Sequence, residues 1–297
     1  GTGAWSTSSS AVIASPSSPS TNVSGFTNAG TYIFVWTVTN GACVLRDTAR
    51  VTVDSLIAAN AGPDQNLCNV SVATMAANTP ASGSGLWTSL GTAVVTTPAS
   101  AVSGITALAY GNNTFVWTIT NGSCTSRDTV VVRRDSSVTA NAGPDQAICS
   151  SPGTAVMAAN TPSSGTGVWT TTSSAVIANI SSPTTAVSGM STAGTYTFVW
   201  TITNGACVTR DTIRIVVSQA VTANAGPDQI LCNVTSATLA GNNAAPGTGT
   251  WTTTSSAVIV AANNPNSAVN NLVAGTYTFV WTIVNGSCTS RDTVSIR

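Results

Sequence analysis

One block of sequence recurs along the 297-residue chain, and this recurrence limits the fold more than any other property. Ala-Gly-Pro-Asp-Gln begins at Ala61, Ala142 and Ala225. Phe-Val-Trp-Thr recurs around Trp36, Trp117, Trp200 and Trp281. Asn-Gly follows at Asn40, Asn121, Asn204 and Asn285, then Arg-Asp-Thr from Arg46, Arg127, Arg210 and Arg291. A second tryptophan precedes each set, at Trp5, Trp87, Trp169 and Trp251. Four copies of one module are expected, spanning 1–56, 57–137, 138–220 and 221–297. The first lacks its opening third, because no Ala-Gly-Pro-Asp-Gln precedes Trp5. The joints near 56, 137 and 220 are only a few residues long, so the modules are expected to run end to end as a semi-rigid rod.

Within a copy the hydrophobic period is that of strands. Tyr196, Phe198, Trp200 and Ile202 fall on one face, and Thr197, Val199, Thr201 and Thr203 on the other. Asn204-Gly205 then predicts a two-residue type I′ hairpin turn, with Ala206–Val217 as the return strand. Shorter strands are expected over 155–159, 167–172 and 175–180, punctuated by Pro and Gly as in Thr161-Pro162. No helical pattern appears. Roughly seven short strands in ~80 residues predict an all-β fold of tandem Ig-like β-sandwich modules.

Composition narrows the chemistry. All nine basic residues are Arg and all nine acidic ones Asp, for a net charge of zero, while Lys, Glu and His are absent. There is thus no imidazole base, no Ser-His-Asp triad, no Schiff-base lysine and no phosphate-binding lysine. An enzyme is not expected, and neither is a cofactor or a metal centre. A neutral chain with few cations is a poor partner for nucleic acid or an anionic membrane surface. No apolar run is long enough to form a membrane-spanning helix. The 38 Ser and 50 Thr do not make the chain disordered, because 42% hydrophobic residues and eight Trp are enough to build cores. Without an opening signal peptide, the sequence reads as a mature or internal segment.

Seven cysteines would be an odd count, but the repeat orders them. Each full copy has one Cys after Ala-Gly-Pro-Asp-Gln and one after Asn-Gly. The expected pairs are Cys68 with Cys124, Cys149 with Cys207, and Cys232 with Cys288. Cys43 is left over, its partner belonging before residue 1. Metal binding is the alternative, but Cys-x-x-Cys spacing and His are both missing. Persistent disulfides predict an oxidising compartment.

The remaining motifs each have two readings. Asp in Gly-Pro-Asp-Gln could ligate calcium, but the carboxylates are few, and a Pro-set turn with Asp bonded to backbone is favoured. Arg-Asp in the return strand suggests edge protection or an ion pair across a module interface. The paired tryptophans could form a sugar platform, although Trp200 shares its face with Phe198 and Tyr196, which favours a core. Asn-x-Ser/Thr sequons such as Asn233-Val234-Thr235 and Asn285-Gly286-Ser287 carry little weight in a chain so rich in Ser and Thr.

The ordered set Ala-Gly-Pro-Asp-Gln-x-x-Cys, Gly-x-x-Trp-Thr, Gly-Thr-Tyr-x-Phe-Val-Trp-Thr-x-x-Asn-Gly-x-Cys and Arg-Asp-Thr resembles the PKD-like or Ig-like repeats of giant Bacteroidota surface proteins. The resemblance covers the whole chain. It implies a stalk segment of a cell-surface adhesin of the SprB-like gliding-motility type, exported by type IX secretion and held in an outer-membrane-attached filament. No C-terminal sorting domain of such proteins is matched, so the resemblance implies an internal segment. It also implies O-glycosylation at Asp-Ser/Thr motifs, making Thr48, Ser55, Thr129, Thr212 and Thr293 candidate glycan sites. The implied partners are neighbouring repeats of the same long chain, accessory surface proteins and glycans. The competing reading is a multivalent carbohydrate- or surface-binding module. Exposed aromatics in a row would support it and buried tryptophans would count against it.

Overall fold

The computed structural model describes all of residues 1–297, and its regular structure consists of strands with no helix. The chain forms two compact units, residues 1–136 and 137–297, each holding two repeats.

The third repeat represents the architecture. Its central strand, Gly194–Asn204, buries Tyr196, Phe198, Trp200 and Ile202 while the intervening residues face outward, as the alternation predicts. On one side it pairs antiparallel with Cys207–Ser218, on the other with Thr166–Thr171. Gln146–Cys149 adds a fourth strand, parallel to the far end of Cys207–Ser218. A second sheet of three very short strands, Ala155–Val156, Ala186–Ser188 and Val176–Ile177, packs over this one. Met157, Val187 and Met190 join Trp169, Trp200, Phe198, Ile213 and Ile215 in one core. The second and fourth repeats have their own cores at matching positions. Each full repeat is therefore an Ig-like β-sandwich.

The hairpin turn differs from expectation by one residue. Asn204 is still paired, with Cys207, so the loop is Gly205-Ala206. Positive φ falls on glycine alone: 62° at Gly41, 59° at Gly122, 56° at Gly205 and 53° at Gly286. A left-handed Gly at the first loop position is the pattern of a type II′ turn, not type I′. The short strands also differ: 155–156 and 176–177 are shorter than expected, and both Gln146–Cys149 and Ala186–Ser188 were not foreseen.

Each repeat ties the loop before its central strand to that strand. The Tyr196 hydroxyl donates to the Thr192 carbonyl, and Tyr32 does the same to Asn28. In the fourth repeat the Val273 N–H donates to the Tyr277 hydroxyl. The second repeat has Asn113 in this place, and its amide donates to the Ala109 carbonyl while its Oδ1 accepts the Ala109 N–H. This i to i−4 tie is the tyrosine corner of immunoglobulin sandwiches, carried out once by an amide.

Candidate functional site

The motif residues join the opening loop of each full repeat to that repeat's own last strand. In the third repeat Asp145 Oδ1 accepts the Arg214 N–H of the last strand, and Asp211 Oδ2 on that strand accepts the Ala142 N–H of the motif, both at 2.8 Å. Asp64 with Val131 and Asp128 with Ala61 repeat this reciprocal clamp, as do Asp228 with Ser295 and Asp292 with Ala225. The glutamines Gln65, Gln146 and Gln229 donate to the carbonyls of Thr74, Val156 and Thr238. Gly143 needs its φ of 86°, and a Cβ there would stand 2.7 Å from the Ala158 carbonyl oxygen. Asp in Gly-Pro-Asp-Gln is thus a backbone acceptor. Asp in Arg-Asp is one too, which replaces the expected ion pair. The Ala142 N–H, and after it the Thr212 N–H, holds the Asp211 carboxyl below its ordinary 3.8.

Two seams between repeats lie inside the compact units. In residues 1–136 Asp54 ends the first repeat's last strand region, and its Oδ2 accepts the N–H and hydroxyl of Ser123, at 2.7 and 3.0 Å. The Asn121 amide donates to the Ser55 carbonyl at 2.9 Å. In residues 137–297 Ser218 takes the place of Asp54: its Oγ accepts the Ser287 N–H at 3.3 Å, and Asn285 donates to the Gln219 carbonyl at 2.9 Å. The Asn-Gly hairpin of one repeat therefore seats on the strand end of the repeat before it. The positive φ at the tip favours glycine, and a Cβ on Gly122 or Gly286 would also displace the Asp54 carboxylate or the Ser218 hydroxyl on which the hairpin seats.

The cysteines overturn the expected pairing. Cys149 bonds Cys288 of the following repeat, with Cα atoms 4.9 Å apart. Cys43, Cys124 and Cys232 are free thiols. Cys68 and Cys207 are also disulfide-bonded. None of the pairs Cys68–Cys124, Cys149–Cys207 and Cys232–Cys288 forms. The reason is the parallel strand. Cys149 lies opposite Ser218, while Cys207 starts the same 12-residue strand. The two are separated by roughly 35 Å at 3.3 Å per residue, far beyond the ~7 Å reach of a disulfide between Cα atoms. The strand end carrying Cys149 is instead where the next hairpin arrives: Cys288 Sγ lies 3.2 Å from the Ser218 carbonyl oxygen.

Tryptophans pair across strands, Trp87 with Trp117, Trp169 with Trp200 and Trp251 with Trp281, at centroid distances of 4.9 to 5.0 Å. All six are buried, which removes a tryptophan sugar platform from these repeats. Gly85, Gly167 and Gly249 lie under the second ring of each pair, explaining the glycine two residues before Trp87, Trp169 and Trp251. In the first repeat Trp5 and Trp36 keep the same pairing, 5.1 Å apart, but both are only half-buried. The candidate glycan residues Thr48, Ser55, Thr129, Thr212 and Thr293 are all exposed, and Ser55 lies in the seam beside Asn121. Sequence reasoning missed Asp54 and Ser218, which lie in no repeated motif, and the Asn60–Asn78 type of pair that braces the motif loop.

No family model and no curated protein matches the chain. Solved structures with a similar course include the I-band fragment I67–I69 of titin, 10% identical over 82% of this chain and 99% of that one, with a TM-score of 0.47. The N-terminal eight Ig domains of Down syndrome cell adhesion molecule are 13% identical, covering 100% of this chain and 50% of that one, with a TM-score of 0.37. The insect immune protein hemolin is 9% identical over 99% and 91%, with a TM-score of 0.32.

Proposed function

We propose that the chain is a structural stalk segment of a long extracellular adhesin, in which the four repeats act as successive spacer modules. The carrying observation is the seam in residues 137–297, where hydrogen bonds and the Cys149–Cys288 bond join one repeat to the next. Linking modules covalently outside the backbone contributes stiffness, which a spacer needs and a compact binding protein does not. Stable disulfides favour an oxidising, extracellular setting. The repeat motifs resemble those of Bacteroidota surface proteins, which supports a bacterial cell-surface filament serving attachment or gliding, with neighbouring repeats, accessory surface proteins or glycans as partners. By the same resemblance Thr48, Ser55, Thr129, Thr212 and Thr293 are proposed glycan sites. Their shared exposure is compatible with modification.

Small-angle scattering and electron microscopy of the full chain test this reading. An extended rod with one module length per repeat is expected, and a compact particle would overturn it. The rival reading, multivalent glycan binding by the repeats, is disfavoured by the burial of six of the eight tryptophans. A glycan array with binding that is lost on replacing Trp5 or Trp36 would reverse that preference.

A further inference from the structure

The two seams inside the compact units share a chemical feature. In each, the seated hairpin carries Asn-Gly at its turn, and the asparagine amide is a donor that reaches the repeat before it. Asn121 donates to the Ser55 carbonyl at 2.9 Å and to the Ser55 hydroxyl at 3.2 Å. Asn285 donates to the Gln219 carbonyl at 2.9 Å. Both asparagines are half-buried, whereas Gly122 and Gly286 are exposed. Asn-Gly is the pair most open to intramolecular attack on a side-chain amide, because a glycine nitrogen has no side chain beside it. That nitrogen reaches the asparagine Cγ only when the asparagine backbone leaves the extended form.

The closed seam withholds that geometry. Asn121 is paired with Cys124 and Asn285 with Cys288 at the ends of their strands. An extended backbone turns the next N–H away from the side chain, and the donated hydrogen bond fixes the amide on the neighbouring repeat. Further contacts hold the hairpin in place. Asp54 Oδ2 accepts the Ser123 N–H at 2.7 Å, Ser218 Oγ accepts the Ser287 N–H at 3.3 Å, and Cys288 is bonded to Cys149. Opening a seam frees the asparagine amide and the glycine nitrogen together.

We propose that Asn121 and Asn285 are deamidation sites, guarded by a closed seam and released by an open one, and that the reaction keeps an opened seam from reseating. The nitrogen of Gly122 or Gly286 gives its proton to a base and bonds to the asparagine Cγ. The bond from Cγ to the amide nitrogen breaks, and that nitrogen leaves as ammonia. Water then opens the succinimide to aspartate or isoaspartate. One amide and one water become one carboxylic acid and one ammonia, with no change of oxidation state. The product has lost its donor and carries a negative charge towards a carbonyl oxygen. At Asn121 that charge also lies beside the Asp54 carboxylate, a repulsion that Ser218 does not supply at Asn285. This chemistry is independent of what the chain adheres to.

The test ages the whole 297-residue chain beside a synthetic peptide of residues 117–128 at mildly alkaline pH. Peptide mapping by mass spectrometry reads the acid formed at each asparagine. Asn121 in the intact chain is expected to react at least about tenfold more slowly than in the peptide, because only the open fraction reacts. Asp54→Ala should raise the Asn121 rate severalfold and leave Asn285 unchanged. Cys149→Ser combined with Cys288→Ser should raise the Asn285 rate and leave Asn121 unchanged, so each variant is the other's control. Hydrogen exchange at the Phe115 and Phe279 amides reports that the sheets remain folded. Asn121→Asp should speed exchange at the Ser123 amide, and Asn285→Asp should speed it at Ser287 by a smaller factor. Peptide-like rates in the intact chain, rates that respond to neither variant, or an Asn121→Asp chain whose Ser123 amide stays as protected as before would overturn the proposal.

Discussion

Residues 1–136 and 137–297 are each built from two repeats meeting in the same kind of seam, yet they differ in how completely that seam is closed. In the second unit the opening strand is present, the tryptophan pair is sealed and the seam is covalent. In the first unit the hairpin of the second repeat still seats on Asp54, but the first repeat's tryptophans are half-open and Cys124 is unbonded. The same hairpin and strand pair forms in both. In the third repeat the opening third caps the core and brings Cys149 to the seam.

The largest expected difference concerns the disulfide. Replacing Cys149 and Cys288 together by Ser should destabilise the second unit by up to about 5 kcal/mol in the chain-entropy model, given the 139-residue separation. Cys124→Ser should leave the first unit within about 0.5 kcal/mol. Denaturant titration with hydrogen exchange resolved on the Cys207–Ser218 and Cys43–Val53 strands separates the two, and equal responses would end the comparison. Next comes the core. Trp200→Ala should cost on the order of 3–5 kcal/mol in the third repeat, and Trp36→Ala about half of that, because its ring is already partly in water. Smaller again, Asp211→Ala removes the acceptor of the Ala142 N–H and should cost about 1 kcal/mol, while Asp47→Ala, which frees no distant donor, should be near neutral by the same assay.

The smallest effect is a pH dependence. The Asp211 carboxyl titrates below its unfolded value, so its contribution is fully present above about pH 4 and is lost as pH falls through the lower folded value. Local stability of the third repeat should therefore drop on acidification from pH 5 towards pH 2. The size of the drop is limited by solvent screening of this exposed group. Asp211→Asn should flatten that part of the profile. An unchanged profile would mean that the motif clamp contributes nothing there.

The sequence made the central strand and its buried face legible, because strict alternation around Trp200 admits one register. It also located the hairpin, but misplaced its loop by one residue, since Asn-Gly and Gly-Ala both offer a left-handed position. What it concealed was Gln146–Cys149. Four residues with no alternation leave no periodic signal, and their partner lies some 70 residues downstream in sequence. That one strand sets where Cys149 lies, so missing it also lost the disulfide pairing. The count of cysteines fits pairing within repeats and pairing between successive repeats equally well. Position along the strand, not arithmetic, decides between them. The seam residues Asp54 and Ser218 were hidden for another reason: they differ between repeats and act through a carboxylate in one and a hydroxyl in the other.

The bond between Cys149 and Cys288 also determines how the chain responds to being pulled. A tension applied across those two residues runs through two sulfur atoms and bypasses all of the backbone between them. Fully drawn out, those 139 residues would contribute roughly 470 Å of length, at about 3.4 Å each. While the bond holds, none of that slack is available, even after every strand between the two cysteines has come apart.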